Sequence, residues 1–154
     1  MSQFKMQKAS AEILDKLIKP ISSITGAKNE GFLVTAGSGI EHGKWNTMTA
    51  GWGSIGFLWN KLTATVYVRP TRYTSEFIDK EDYMTLSFFE ENDSWAKDML
   101  AFCGSVSGRD ADKAKKTGLK PVMLEDGAVS FEQAQTVLVC RKLYRSKFDM
   151  DLFV

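Results

Sequence analysis

WNTMTAGWGSIGFLWNKLTATVYVRPTRYT, residues 45–74, sets a Thr/Gly/Trp-rich segment against an apolar strand that ends in two arginines. Gly51, Gly53 and Gly56 permit close backbone approach, because glycine inside a strand marks a bulge or a place where another backbone or a ligand comes near. Trp45, Trp52 and Trp59 supply aromatic surface, and Arg69 and Arg72 supply planar donors suited to bidentate recognition of phosphate. Together they describe a pocket for a flat, phosphorylated aromatic ligand. The plainer reading is a bulged strand with ordinary core tryptophans, since both residue types serve packing more often than binding.

Working outward, residues 32–36 (FLVTA) read as a short strand, 37–44 as a hairpin connection and 45–55 as the returning strand, with Gly56 bending or ending it. Residues 62–68 (LTATVYV) and 83–89 (YMTLSFF) follow as β-branched and aromatic strands, and 129–143 contains a long final one. The first three strands succeed one another without helices between them. That order excludes a doubly wound parallel sheet and predicts consecutive antiparallel strands, closing into a barrel.

Three helices interrupt the strands. Thr71 is the expected N-cap of a helix running to Lys80, Ser94 that of WAKDMLAFC, closed by Gly104. Ser107 and Asp110 resemble a capping box opening RDADKAKKT, which stops at Gly118. Two of these helix starts gather cations and hydroxyls: Arg69, Thr71, Arg72, Tyr73 and Thr74 at one, Ser105, Ser107, Gly108 and Arg109 at the other. A basic residue is the wrong electrostatic choice at a helix start unless an anion compensates, so Arg72 and Arg109 point to phosphate. Solvated surface arginines beside capping hydroxyls are the plainer alternative. Arg109 and Lys113 fall on one face of the expected third helix, but Lys115 and Lys116 leave Lys113 undistinguished.

A chain of 154 residues without repeats or linkers reads as one domain spanning 1–154. A net charge of +1 supplies no broad footprint for nucleic acid, so any anion site must be local. Cys103 and Cys140 fit neither a disulfide framework nor metal-ligand spacing, which suits a reducing cytoplasm. MSQFKMQKASAEILDKLIKP, residues 1–20, lacks an uninterrupted apolar run and reads as neither a cleaved leader nor a membrane anchor. The only histidine, His42, lies in GSGIEHGK and reads as a solvent-facing turn residue. One loop histidine makes no nucleophile–His–Asp arrangement, so hydrolysis by side chains is disfavoured; a bound redox cofactor would remove the need for an acid/base pair.

NTMTAGWGSIG (46–56), VRPTRYTSEF (68–77) and FCGSVSGRDADK (102–113), in this order and spacing, resemble the flavoredoxin branch of the flavin reductase-like, FMN-binding split-barrel family. The resemblance covers residues 32–144. It implies a mainly β fold with flanking helices, a six-stranded antiparallel Greek-key split β-barrel, binding FMN non-covalently near the interface of a homodimer. By similarity Asn46, Thr47, Met48, Thr49 and Trp52 border the ring and ribityl chain. Arg69, Arg72, Tyr73 and Thr74 hold the phosphate or its approach, and Cys103, Ser105, Ser107, Gly108 and Arg109 close the pocket from the other side. The implied chemistry is electron transfer through flavin, with hydride from NADH or NADPH, no catalytic side chain, and a small molecule or redox protein as acceptor. Cys103 is expected to be a small buried residue. Trp45 and Trp59, outside the shared blocks, are assigned to the core. Members of the branch continue beyond the CRKLY-like strand whereas this chain ends at FDMDLFV, so either the barrel closes with fewer elements or the domain is a shortened version. Two alternatives accompany this reading: an FMN carrier or sensor reduced by a protein partner, and a flavin-free remnant that keeps only the fold.

Overall fold

The computed structural model describes residues 4–10, 12–13, 15–17 and 31–154. The chain forms β1 (Phe32–Gly37), β2 (Trp45–Ala50), β3 (Gly53–Leu58), β4 (Lys61–Val66), α1 (Tyr73–Lys80), β5 (Tyr83–Phe88) and α2 (Ser94–Ser105). There follow α3 (Lys113–Thr117), β6 (Pro121–Met123), β7 (Val129–Phe131), β8 (Thr136–Arg141) and a terminal 3-10 turn, Met150–Leu152. All pairings among the described residues are antiparallel. One sheet has the order β2-β1-β5-β8, while β3–β4 and β6–β7 are separate hairpins. Among the described residues the four-stranded ladder is open, with β2 at one edge and β8 at the other.

β1 is buried along its whole length because it is central and covered on both faces. Successive side chains leave a strand on opposite sides. Phe32, Val34 and Ala36 therefore enter one core with Met48, Ala50, Leu86, Phe88 and Ile78 of α1, against which Ile55, Ala64 and Val66 of the β3–β4 hairpin pack. Leu33 enters the other, with Trp45, Met99, Leu100, Cys103, Val129 and Phe131. Buried hydroxyls fasten the second face: Thr85 Oγ1 donates to Val129 O at 2.6 Å, and the Ser87 and Ser130 hydroxyls lie 3.0 Å apart. The sheet is thus clasped between α1 with one hairpin and α2 with the other.

Several local expectations are corrected. Strand 45–55 is two strands, broken at Gly51–Trp52 where the chain leaves β1 to begin the β3–β4 hairpin. Gly56 neither bends nor ends it; it sits inside β3, paired with Thr63. The hairpin turns on Trp59 and Asn60, both with positive φ (49° and 56°), the backbone of a two-residue type I′ loop. Trp59 is consequently 77% exposed rather than part of the core, whereas Trp45 is buried as expected and donates from Nε1 to Ile40 O at 3.0 Å. The strand expected at 129–143 is divided into β7 and β8 by a turn at 132–135, and β6 was not anticipated.

The helix boundaries shift for hydrogen-bonding reasons. Arg72, not Thr71, precedes α1 as its N-cap and makes no side-chain cap bond. Asp93, not Ser94, caps α2, its carboxylate accepting from Trp95 N at 2.9 Å. Gly104 lies within α2 instead of closing it: a Cβ there would sit 3.3 Å from Thr49 Cβ, so its bareness lets the helix lie close on β2. Ser107 to Ala111 form a self-satisfied turn, with Asp110 N and Ala111 N both donating to Ser107 O, and α3 starts only at Lys113 behind the Asp112 cap. Gly118 ends α3 in the left-handed conformation at φ 79°, as its position after KAKKT predicts.

Candidate functional site

As an edge strand, β2 has outward backbone groups that the ladder leaves unpaired. Lys113, the first residue of α3, takes up one of them: its Nζ donates to Thr47 O at 2.6 Å and to Cys103 O at 2.9 Å. The ammonium is buried, and burial lowers its pKa from 10.5; the neighbouring Cys103 thiol opposes that shift and Arg72 adds to it. Two of its three N–H groups are spent on carbonyls, which leaves one for the space in front.

That space is a cleft of about 180 Å³ along the β2 edge. Trp45 and Asn46 of β2 form one wall, Tyr73 of α1 another, and Gly108, Arg109, Ala111 and Asp112 the third, with His42 and Gly43 of the β1–β2 turn at the rim. Asn46 is buried and committed, donating from Nδ2 to Thr74 Oγ1 at 2.7 Å and to Thr47 O at 3.3 Å. Its amide oxygen faces Gly108 so closely that a Cβ on Gly108 would lie 1.9 Å from it. The turn carrying Arg109 is therefore pressed onto β2. The Arg109 guanidinium stands 4.5 Å over the Tyr73 ring and pairs with Glu76, while Tyr73 in turn packs edge-on against Phe77.

Of the residues singled out in the sequence, Asn46, Tyr73, Thr74, Gly108 and Arg109 meet here, and Thr47 and Cys103 contribute the carbonyls that hold Lys113. The others stand elsewhere. Met48 is a core side chain, Thr49 donates its hydroxyl to Leu100 O at 2.6 Å, Ser105 to Ala101 O at 2.8 Å, and Ser107 Oγ accepts from Arg109 N at 3.2 Å. Arg72 donates from Nη1 to Gly104 O at 2.8 Å, a cation at the C-terminal end of α2, where the macrodipole welcomes it. Arg69 and Trp52 pair with each other at 5.3 Å, outside the cleft lining, and Trp52 is 55% exposed.

Two expectations are corrected here. Arg109 lies in a turn ahead of a five-residue helix, so the helix start expected at Ser107–Arg109 does not form, and Arg109 shares no helical face with Lys113. His42 is exposed as expected but also borders the cleft. The sequence leaves Lys113 undistinguished, whereas the structure buries it against β2, a placement that nothing in KAKKT reveals.

The Cys103 thiol is buried and its pKa is pushed up to about 11 by desolvation, so it stays protonated and inert near neutrality, the small buried residue expected. Both cysteines are unpaired.

No protein-family model matches the sequence, and no curated protein matches it. Solved structures do. Flavoredoxin of Desulfovibrio vulgaris (Miyazaki F) superimposes with a TM-score of 0.65 at 22% identity, over 75% of this chain and 61% of that one. Flavoredoxin from Methanosarcina acetivorans gives 0.61 at 25% identity, over 76% and 59%. The chain has the flavoredoxin fold. An FMN-binding protein from Thermus thermophilus shares it, with a TM-score of 0.65 at 19% identity over 96% of this chain and 72% of that one. Within the flavoredoxin fold, the mainly antiparallel arrangement with flanking helices of the FMN-binding split barrels, this chain spans about three fifths of the length of the two flavoredoxins. No described helix is long and apolar enough to cross a membrane.

Proposed function

We propose that this chain binds FMN at the β2-edge cleft and works as an electron-transfer flavoprotein with NADH or NADPH as the hydride source. The observation that carries this reading is the buried Lys113 ammonium opening into a cleft flanked by Arg109 and Tyr73, within a fold shared with FMN-binding proteins. The donor set suits a phosphorylated ligand. Ligand sites that engulf a whole drug-sized molecule measure roughly 300–1,000 Å³, whereas this cleft holds about 180 Å³, enough for one end of such a ligand. Lys113 and Arg109 in its lining favour the anionic end.

Bound FMN would supply a ring that accepts hydride and passes electrons on, with the protein contributing position and charge. Lys113 offers its remaining N–H and a full charge in a desolvated setting where both act strongly. Arg109 offers a planar fork steadied on Tyr73. Asn46 and Thr74 hold the wall, and the bare Gly108 lets the Arg109 turn lie close on Asn46 and Tyr73.

We further infer a homodimer. The β3–β4 hairpin pairs with no other strand and exposes Phe57, Leu58, Trp59 and Leu62, an apolar surface of the kind that marks a protein interface. Two unpaired cysteines accord with a reducing, cytoplasmic setting.

The deciding experiment is an anaerobic titration of FMN-loaded protein with NADH and NADPH. Bleaching of the flavin absorbance by either one is expected. Bound FMN that neither nicotinamide reduces would reassign the chain as a flavin carrier served by a protein partner, and a colourless protein that ignores added FMN would refute the reading.

A further inference from the structure

Glu76 has no part in the scheme above, yet it touches the cleft's most accessible cation. Tyr73 and Glu76 lie three residues apart on α1 and so share a face. Arg109, from the turn across the cleft, lies over the ring of the first and pairs with the carboxylate of the second. Its backbone cannot follow an entering ligand, because the turn is closed on Ser107 O and pressed on Asn46 at Gly108. Only the side chain has a choice of partner. Lys113 is buried and bound to two carbonyls, so among the described cations of the cleft Arg109 is the one whose partner is a competing anion.

We propose that Glu76 is a specificity-determining residue of this cleft: it occupies Arg109 as an internal anion that a ligand must outcompete. This rests on the reading that the cleft takes the anionic end of FMN. The two side chains are 47% and 50% exposed, and ion pairs in such surroundings contribute little, so the contact is easily exchanged. A phosphomonoester carries roughly −1.5 to −2 charges near neutrality with several strong acceptor oxygens. It displaces a singly charged carboxylate from the guanidinium. An uncharged ligand of the same shape gains nothing from Arg109 and leaves the pair intact. Once released, the Glu76 carboxylate remains close by and repels the incoming anion, which keeps binding weaker than the cations alone would make it. Glu76 thus sets a charge threshold for entry.

The test measures binding of FMN, riboflavin and inorganic phosphate to the wild-type chain, Glu76→Gln, Arg109→Met and the double variant, by flavin fluorescence quenching and calorimetry at low salt. Both residues are exposed, and thermal melts establish that the variants fold. Glu76→Gln is expected to tighten FMN and phosphate by up to about fivefold, the range open to an exposed charge contact, and to leave riboflavin unchanged. The gain should vanish in the Arg109→Met background, since a coupling through Arg109 cannot survive its removal. Weaker FMN binding by Glu76→Gln, or equal shifts for FMN and riboflavin, would overturn the proposal. If phosphate tightens through Arg109 while neither flavin binds any variant, the charge threshold stands and the FMN assignment falls. If none of the three binds, both fall.

Discussion

Lys113 brings a charge into a largely desolvated place at the back of the cleft, and two backbone carbonyls make that tolerable. Replacing it with Met removes the desolvated charge, leaves Thr47 O with Asn46 Nδ2 alone and takes the Lys113 donor from Cys103 O, a buried acceptor whose loss of partner costs about 1–3 kcal/mol. Lys113→Met should therefore destabilise the chain modestly in urea denaturation while weakening FMN more than riboflavin. Gly108→Ala places a methyl against the Asn46 amide, which is itself tied to Thr74. Overpacking of this kind costs about 1–3 kcal/mol, so a lowered melting temperature and a weakened site should appear together.

Titration of the buried groups predicts an alkaline limit. Cys103 has a folded-state pKa raised from 9.0 to about 11, so its contribution is intact below pH 9.0 and is lost as pH rises through about 11. Lys113 runs the other way. Its folded-state pKa is lowered, so between that value and 10.5 the unfolded chain binds the extra proton and the Lys113 penalty is relieved as pH rises. Cys140, raised to about 11 by burial, acts in the same sense as Cys103 and remains in Cys103→Ala, so the test is the difference: from pH 8 to 11 the urea midpoint of the wild type should lose ground relative to that of Cys103→Ala.

At the scale of elements, legibility followed the source of the local order. β1 and β5 were readable because central strands buried on two faces carry dense apolar and β-branched residues. The N-cap of α2 was misread by one residue, since Asp and Ser compete for that role and only the observed bond, from Trp95 N to Asp93, separates them. Asp93→Ala should accordingly cost about 1 kcal/mol in thermal denaturation and Ser94→Ala little. The third helix was over-read at its start: the Ser107 turn satisfies its own backbone, so the charge pattern of RDADKAKKT had no helix to begin until Asp112. The β3–β4 turn was missed because Trp59-Asn60 is not the Asn-Gly pair that a type I′ loop prefers. Asn60→Gly removes a left-handed cost of roughly 1–2 kcal/mol, part of which returns as glycine's greater loss of conformational freedom. A melt of that variant should show a small gain.

For the molecule as a whole, the two exposed regions are continuous in character. The hairpin presents Phe57, Leu58, Trp59 and Leu62, and the C-terminal segment presents Tyr144, Phe148, Met150, Leu152 and Phe153. That segment is held to the body by Arg145, which pairs with Asp79 and donates to Ser75 Oγ at 3.0 Å, and by Phe148, stacked on Tyr67 at 5.8 Å. If the hairpin face is a dimer interface, light scattering should give the mass of two chains, and Phe57→Ser with Leu62→Ser should halve it without lowering helix content. An unchanged mass would remove the hairpin from the interface. The amino-acid sequence by itself determined the antiparallel class, the first strand and β5, and the rough positions of α1 and α2, because burial periodicity and turn residues are written along the chain. Only the tertiary structure decided which of the candidate site residues face one another. It moved Arg69, Arg72 and Trp52 out of the cleft and Lys113 into it, since a lysine acquires its meaning from carbonyls 66 and 10 residues away, a separation that no local pattern encodes.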